Sequence, residues 1–244
     1  MKLHAVLAAG ALAASMAMAA DAPKNVDLKA PDGTGLKASY SSPGRPGPAI
    51  LLLHQCNMDR HAWDGLAKDL ANAGFHVLAL DFRGYGDSGG DRISDAAQRR
   101  TVVQEKWPGD VDAAYEYLKS QKGVDASRIA VGGASCGVTQ ASDLAARHHE
   151  IRALMLLSGS ASDKGKAYIA GAFTMPVFGA ASEGDTNAAK GIKEAAGASG
   201  NPGSQVKIYP GTEHGVPMFA KNAELEPMIV SWLKMQLAEH PGSH

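Results

Sequence analysis

The chain has 244 residues, a formal net charge of −1, 45% hydrophobic and 20% charged residues, and no long run of either sign. That balance excludes the basic footprint of a nucleic-acid binder and the charged patch of a membrane-surface protein, and leaves a small molecule as the expected partner. The first 20 residues, MKLHAVLAAGALAASMAMAA, join a short basic start to small apolar residues and the small-x-small triplet Ala17, Met18, Ala19, the pattern of a secretory signal peptide. Their apolar stretch is too short for a stable span, and no later segment approaches the ~20 apolar residues that spanning requires. The expected product is exported, periplasmic or secreted, without a membrane span, with residues 21–244 forming one α/β domain.

Along that domain, β-type apolar runs alternate with helical periodicity, which predicts a mainly parallel sheet with helices on both faces. VDLKAPDG and LKASYSSP read as two edge strands joined by Pro31, Asp32 and Gly33. AILLLH (49–54), HVLALDF (76–82), RIAVGG (128–133), ALMLLS (153–158), PVFGAA (176–181) and QVKIY (205–209) read as the parallel strands. Between the second and third of these, Val111, Ala114, Tyr115 and Leu118 follow i, i+3, i+4, i+7 spacing and predict a helix with one buried face. Ile229, Trp232, Leu233 and Leu237 mark a closing helix before the tail PGSH.

Ligands of an open parallel sheet bind beyond the carboxyl ends of its strands, and there the chain places His54-Gln55-Cys56, Ser135, Asp185 and His214. Gly133-Ala134-Ser135-Cys136-Gly137 matches G-x-S-x-G, a sharp strand-to-helix turn that exposes its central residue. Ser135 is the apex, not Cys136: around Cys136 the flanking positions would be Ala134 and the β-branched Val138, which fits poorly where the turn is tight. A bare five-residue match is only a glycine-rich turn; the strand before it and the helix after it make it specific.

A serine hydroxyl needs a base, and that base a carboxylate, in the chain order Ser, Asp or Glu, His. Asp185 follows the strand PVFGAA, 50 residues beyond Ser135, and His214 follows QVKIY, a further 29 along. Alone, Asp185 reads as a helix cap and His214 as a surface-loop histidine. Their placement after successive strands favours a Ser135, His214, Asp185 triad, with Glu183 the alternative acid and Asp163 a more distant one. The oxyanion of an acyl-transfer intermediate needs two N–H donors; Cys136 supplies one, and Cys56, with Gln55 beside it, is expected to supply the other, the alternative being that residues 54–56 are only the end of a buried strand.

The set LLLHQ, DFRGYGDSGG, GGASCG, SEGD and YPGTEHG resembles the α/β-hydrolase superfamily over nearly the whole domain, and within it the dienelactone hydrolases and related small esterases. The resemblance implies an α/β-hydrolase fold and a serine esterase or lactonase acting through an acyl-enzyme on a small-molecule ester. Dienelactone hydrolases proper carry cysteine at the apex, and Ser135 departs from that pattern. The short segment between Leu157 and Pro176 implies no large cap domain and an open cleft. A peptidase or amidase of the same fold, or a non-catalytic binding protein, are the alternatives.

Gly84-Tyr85-Gly86-Asp87-Ser88-Gly89 also satisfies G-x-G-x-x-G, but no apolar helix follows at once and the strand before it is not the first, so it reads as a loop beside the cleft. No cluster has zinc spacing and Asp87 to Asp91 is wrongly ordered for calcium; neither metal nor cofactor is expected. Oligomeric state is not legible. Cys56 and Cys136 remain. Amides converging on one oxyanion bring their α-carbons within disulfide range, so the two cysteines are either bridged across the hole or two buried thiols with only their amides meeting.

Overall fold

The computed structural model describes residues 20–93 and 95–239; the leader pattern through Ala19 and the PGSH tail lie outside the described residues. Strands β1 (Lys24–Lys29), β2 (Gly35–Ser41), β3 (Gly47–Leu53), β4 (His76–Leu80), β5 (Val124–Ala134), β6 (Ala153–Leu157), β7 (Val177–Ser182) and β8 (Gln205–Tyr209) form one sheet in the order β1-β2-β4-β3-β5-β6-β7-β8. From β4 to β8 all pairs are parallel, while β1 with β2 and β2 with β4 are antiparallel. Only one of the two expected edge strands is an edge. β2 pairs with β4 through Ala38–Ser41, because its buried residues Leu36 and Ala38 continue the apolar surface of the sheet and leave β1 outermost.

Helices α1 (Asp64–Asn72), α2 (Ala96–Thr101), α3 (Trp107–Lys119), α4 (Cys136–Ala145), α5 (Asp163–Gly171), α6 (Thr186–Gly197), α7 (Met218–Lys221) and α8 (Leu225–Gln236) connect and close the strands. The near-continuous apolar strands divide by period two between the faces. Leu51, Leu53, Val131, Leu154 and Leu156 meet Trp107, Val111, Ala114, Tyr115 and Leu118, so the expected buried face of α3 is on the sheet. Ile50, Leu52, Ala130, Met155 and Leu157 meet Trp63, Leu66, Leu70, Ile229 and Trp232. The segment between β6 and β7 holds α5 and no larger insertion. Among the described residues no helix is long and apolar enough to cross a membrane.

One buried ion pair organises the loops at the carboxyl ends of β3 and β4. Asp81 is fully buried and Arg60 nearly so. The Asp81 carboxylate accepts from the Arg60 guanidinium, from the Arg60 backbone N–H at 2.7 Å and from the Asp87 N–H at 2.9 Å; Arg60 also reaches Asp87 at 2.7 Å. A Cβ on Gly86, whose φ is +52°, would stand 2.1 Å from an Asp81 oxygen, so this glycine leaves room for the ion pair. Removing one partner of such a pair strands a buried charge. The substitution Asp81→Ala is expected to lower the free energy of unfolding by about 3–5 kcal/mol, read from urea denaturation.

Candidate active site

Ser135 links β5 to α4 with φ 53° and ψ −116°, outside the regions that side-chain-bearing residues normally occupy. The turn is held open for no side chain on either flank. A Cβ on Gly133 would lie 2.2 Å from the Gly137 carbonyl oxygen, and one on Gly137 would lie 2.3 Å from the Leu53 carbonyl oxygen. The Ser135 N–H donates to the Leu157 carbonyl at 2.8 Å, so the neighbouring strand fixes the apex. Ser135 is half-buried, with its hydroxyl at the carboxyl edge of the sheet.

Three of the expected residues come together there. His214 Nδ1–H donates to Asp185 Oδ2 at 2.5 Å, and Nε2 accepts from the Ser135 hydroxyl at 2.7 Å. The tautomer follows from the partners: a carboxylate only accepts, so Nδ1 bears the proton and Nε2 is the free base site. The imidazole is 43% exposed and the Asp185 side chain 18%. Glu183, the alternative acid, is exposed and the imidazole bonds Asp185 instead. Asp163 opens α5 and pairs with Lys166 at 3.1 Å. Of the two readings of the cysteines, the structure has the bridge: Cys56 and Cys136 form a disulfide with α-carbons 5.8 Å apart. Cys136 is the first residue of α4, so its N–H has no acceptor within the helix and faces the helix N-terminus, where negative charge is favoured.

The segment His54-Gln55-Cys56, singled out in the sequence, contains two residues whose bonding the sequence does not show. His54 is fully buried; its Nδ1–H donates to the Gln55 carbonyl at 2.8 Å and its Nε2 accepts from the Phe82 N–H at 3.1 Å. Burial pushes the His54 pKa below the usual histidine range. Gln55, also buried, bonds the loop that carries His214. Ser182 Oγ–H donates to the Glu213 carbonyl at 2.7 Å and fixes the same loop from the other side.

The model of the α/β-hydrolase fold family matches residues 48–181, more than half of the chain. The chain belongs to the α/β-hydrolase fold family. It is 33% identical over 126 residues to an uncharacterized protein of Mycobacterium tuberculosis, covering 51% of this chain and 41% of that one, so it spans less than half the length of that relative. In structure this α/β-hydrolase is similar to an esterase of Pyrococcus furiosus, with TM-score 0.70 and 19% identity over 89% of this chain and 92% of the other. It is also similar to Est1E of Butyrivibrio proteoclasticus, determined with ferulic acid bound, with TM-score 0.71 and 16% identity over 88% and 100%. At such identities the likeness is one of fold.

Two outcomes follow for this chain. The disulfide closes a separation of 80 residues, so replacing both cysteines by alanine is expected to lower the unfolding free energy by about 4.5 kcal/mol on the chain-entropy account; alkylation of the unreduced protein should find neither thiol free. His54 and His76 both titrate below the normal range because they are buried. The unfolded imidazoles therefore take up protons near pH ~6.5 that the folded protein refuses, and linkage makes stability fall as pH drops through that value. Urea denaturation between about pH 8 and pH 5 should show the decline, and His54→Asn should make it shallower while the His76 contribution remains.

Proposed function

We propose that this α/β-hydrolase is an exported serine hydrolase that cleaves a carboxylic ester or lactone, of the dienelactone hydrolase-like kind but with serine in place of cysteine at the apex. One observation carries the reading: the unbroken hydrogen-bonded path from Ser135 through His214 to Asp185. In that arrangement His214 Nε2 takes the hydroxyl proton as Ser135 Oγ bonds to the carbonyl carbon of the substrate. Asp185 holds the Nδ1–H tautomer and stabilises the imidazolium that forms. The carbonyl oxygen, now negative, accepts from the Cys56 and Cys136 N–H groups. Collapse of the tetrahedral intermediate breaks the bond to the alcohol, which leaves with the proton from Nε2. A water molecule repeats the sequence on the acyl-enzyme and releases the acid.

The absence of any larger insertion between β6 and β7 supports a small substrate entering from solvent. Export is supported by the leader pattern of residues 1–20 and by the bridged cysteines, since disulfides persist in oxidising compartments. The test is labelling by a fluorophosphonate probe together with hydrolysis of short p-nitrophenyl esters. Ser135→Ala is expected to abolish labelling and to cut turnover by about 10⁴-fold or more while the unfolding transition stays in place. Retained labelling, or turnover within about tenfold of the parent, overturns the reading.

A further inference from the structure

We infer that Gln55 is a positioning residue for His214: its side-chain carboxamide clamps the histidine loop to the oxyanion loop and so sets where the base stands relative to Ser135. The inference rests on the triad reading above. Gln55 is 2% exposed, and a buried carboxamide is costly unless its donor and acceptor are both used. Two of its partners belong to the histidine loop and the third, Asn57, to its own loop. Oε1 accepts from the Val216 N–H at 2.9 Å, and Nε2 donates to Asn57 Oδ1 at 2.8 Å and, at 3.5 Å, to the His214 carbonyl. An amide N–H only donates, so Val216 fixes which end of the carboxamide is oxygen. The two loop contacts straddle Gly215, whose φ is +71° and where a Cβ would stand 2.2 Å from Oε1; the loop backbone lies directly on the carboxamide.

Nothing else identified at the site performs this task. Asp185 holds the ring of His214, and Ser182 holds the backbone before it through Glu213. The ring itself is 43% exposed, so packing alone restrains it weakly. Gln55 is the hold on the backbone after it. The residue at its other end is fixed as well, because the Gln55 carbonyl accepts from His54. Glutamate keeps the acceptor for Val216 but sets a carboxylate against the His214 carbonyl, and asparagine is one methylene too short.

A double-mutant cycle reads the clamp, with p-nitrophenyl acetate as substrate. Gln55→Met keeps length and bulk and removes both hydrogen-bonding ends. In the parent it is expected to lower kcat by about 10- to 100-fold with KM shifted much less, the cost of a misplaced catalytic group. In a His214→Ala background the same change should alter the residual rate by less than about threefold, because a residue acting only through His214 has nothing left to position. An equal cost in both backgrounds overturns the inference and assigns Gln55 to the oxyanion hole. If His214→Ala alone leaves the rate within about tenfold, the triad reading falls and this inference with it. Urea denaturation accompanies each variant, and Gln55→Glu runs the same cycle should the methionine variant not fold. If both variants fail to fold, or fold less stably while kcat of the folded protein is unchanged, Gln55 is structural and the inference is overturned.

Discussion

Three consecutive residues at the end of β3 each bind a different segment of the chain, and the geometry of the site depends on all three at once. His54 binds the end of β4 through the Phe82 N–H. Gln55 binds the histidine loop through Val216. Cys56 is joined covalently to Cys136, the residue after Ser135. These segments are far apart in sequence: the sheet order sets β3 between β4 and β5, and the loop after β8, at the far edge of the sheet, reaches back across the carboxyl ends to Gln55. The parallel core therefore does more than supply buried area: it brings four strand ends to one edge, and residues 54–56 lock them in register there.

The strain at Ser135 is intelligible in the same frame. A non-glycine residue at positive φ costs on the order of 1–3 kcal/mol and persists only where its surroundings over-determine it. Here β5 is hydrogen-bonded to β3 on one side and β6 on the other, the apex N–H is held by Leu157, and the start of α4 is tied down by the disulfide. Gly133 and Gly137 add the remaining condition, since backbone from the turn itself and from Leu53 fills the space a side chain would need. The hydroxyl is thus presented by a rigid support and not by a mobile loop, which suits a reaction whose rate depends on sub-ångström placement.

What was legible in the sequence has a common character. The buried strands, α3, the elbow and the order of Ser135, Asp185 and His214 are all local patterns or local patterns in series, and each could be read without knowing what lay across the sheet. The readings that needed more were those set by contact between distant segments. β2 reads as an edge strand because its own alternation does not reveal that β4 covers it. The loop of Gly84, Gly86 and Gly89 reads as a turn, but the reason for Gly86 lies in the Asp81 carboxylate beside it and in Arg60, which pairs with that carboxylate. Gln55 was visible as a neighbour of the proposed oxyanion hole; its bonding to a loop about 160 residues on, at Val216, has no sequence signature, because a carboxamide pairs with any backbone. The cysteines are the intermediate case. Their motif positions made bridging geometrically permissible, and only the three-dimensional arrangement separates a bridge from two buried thiols.

The bridge also bears on which atom does the chemistry. A cysteine beside a nucleophilic serine would, as a thiol, be a rival: thiolates attack carbonyls more readily than hydroxyls and need less help from a base. Once bonded to Cys56, the Cys136 sulfur has no thiolate form and no proton to lose, so the residue is reduced to its backbone N–H and its hold on the elbow. In the proposed acyl-enzyme mechanism the acyl group then has only Ser135 to settle on. Under the proposed export the argument extends to the choice of nucleophile, because an activated, accessible thiolate at the apex would climb the oxidation ladder toward sulfenic and sulfinic acids in an oxidising compartment, whereas a serine hydroxyl does not. An oxidising setting thus favours both features for one reason: sulfur is stable at this site as a disulfide and unsuited to it as the nucleophile.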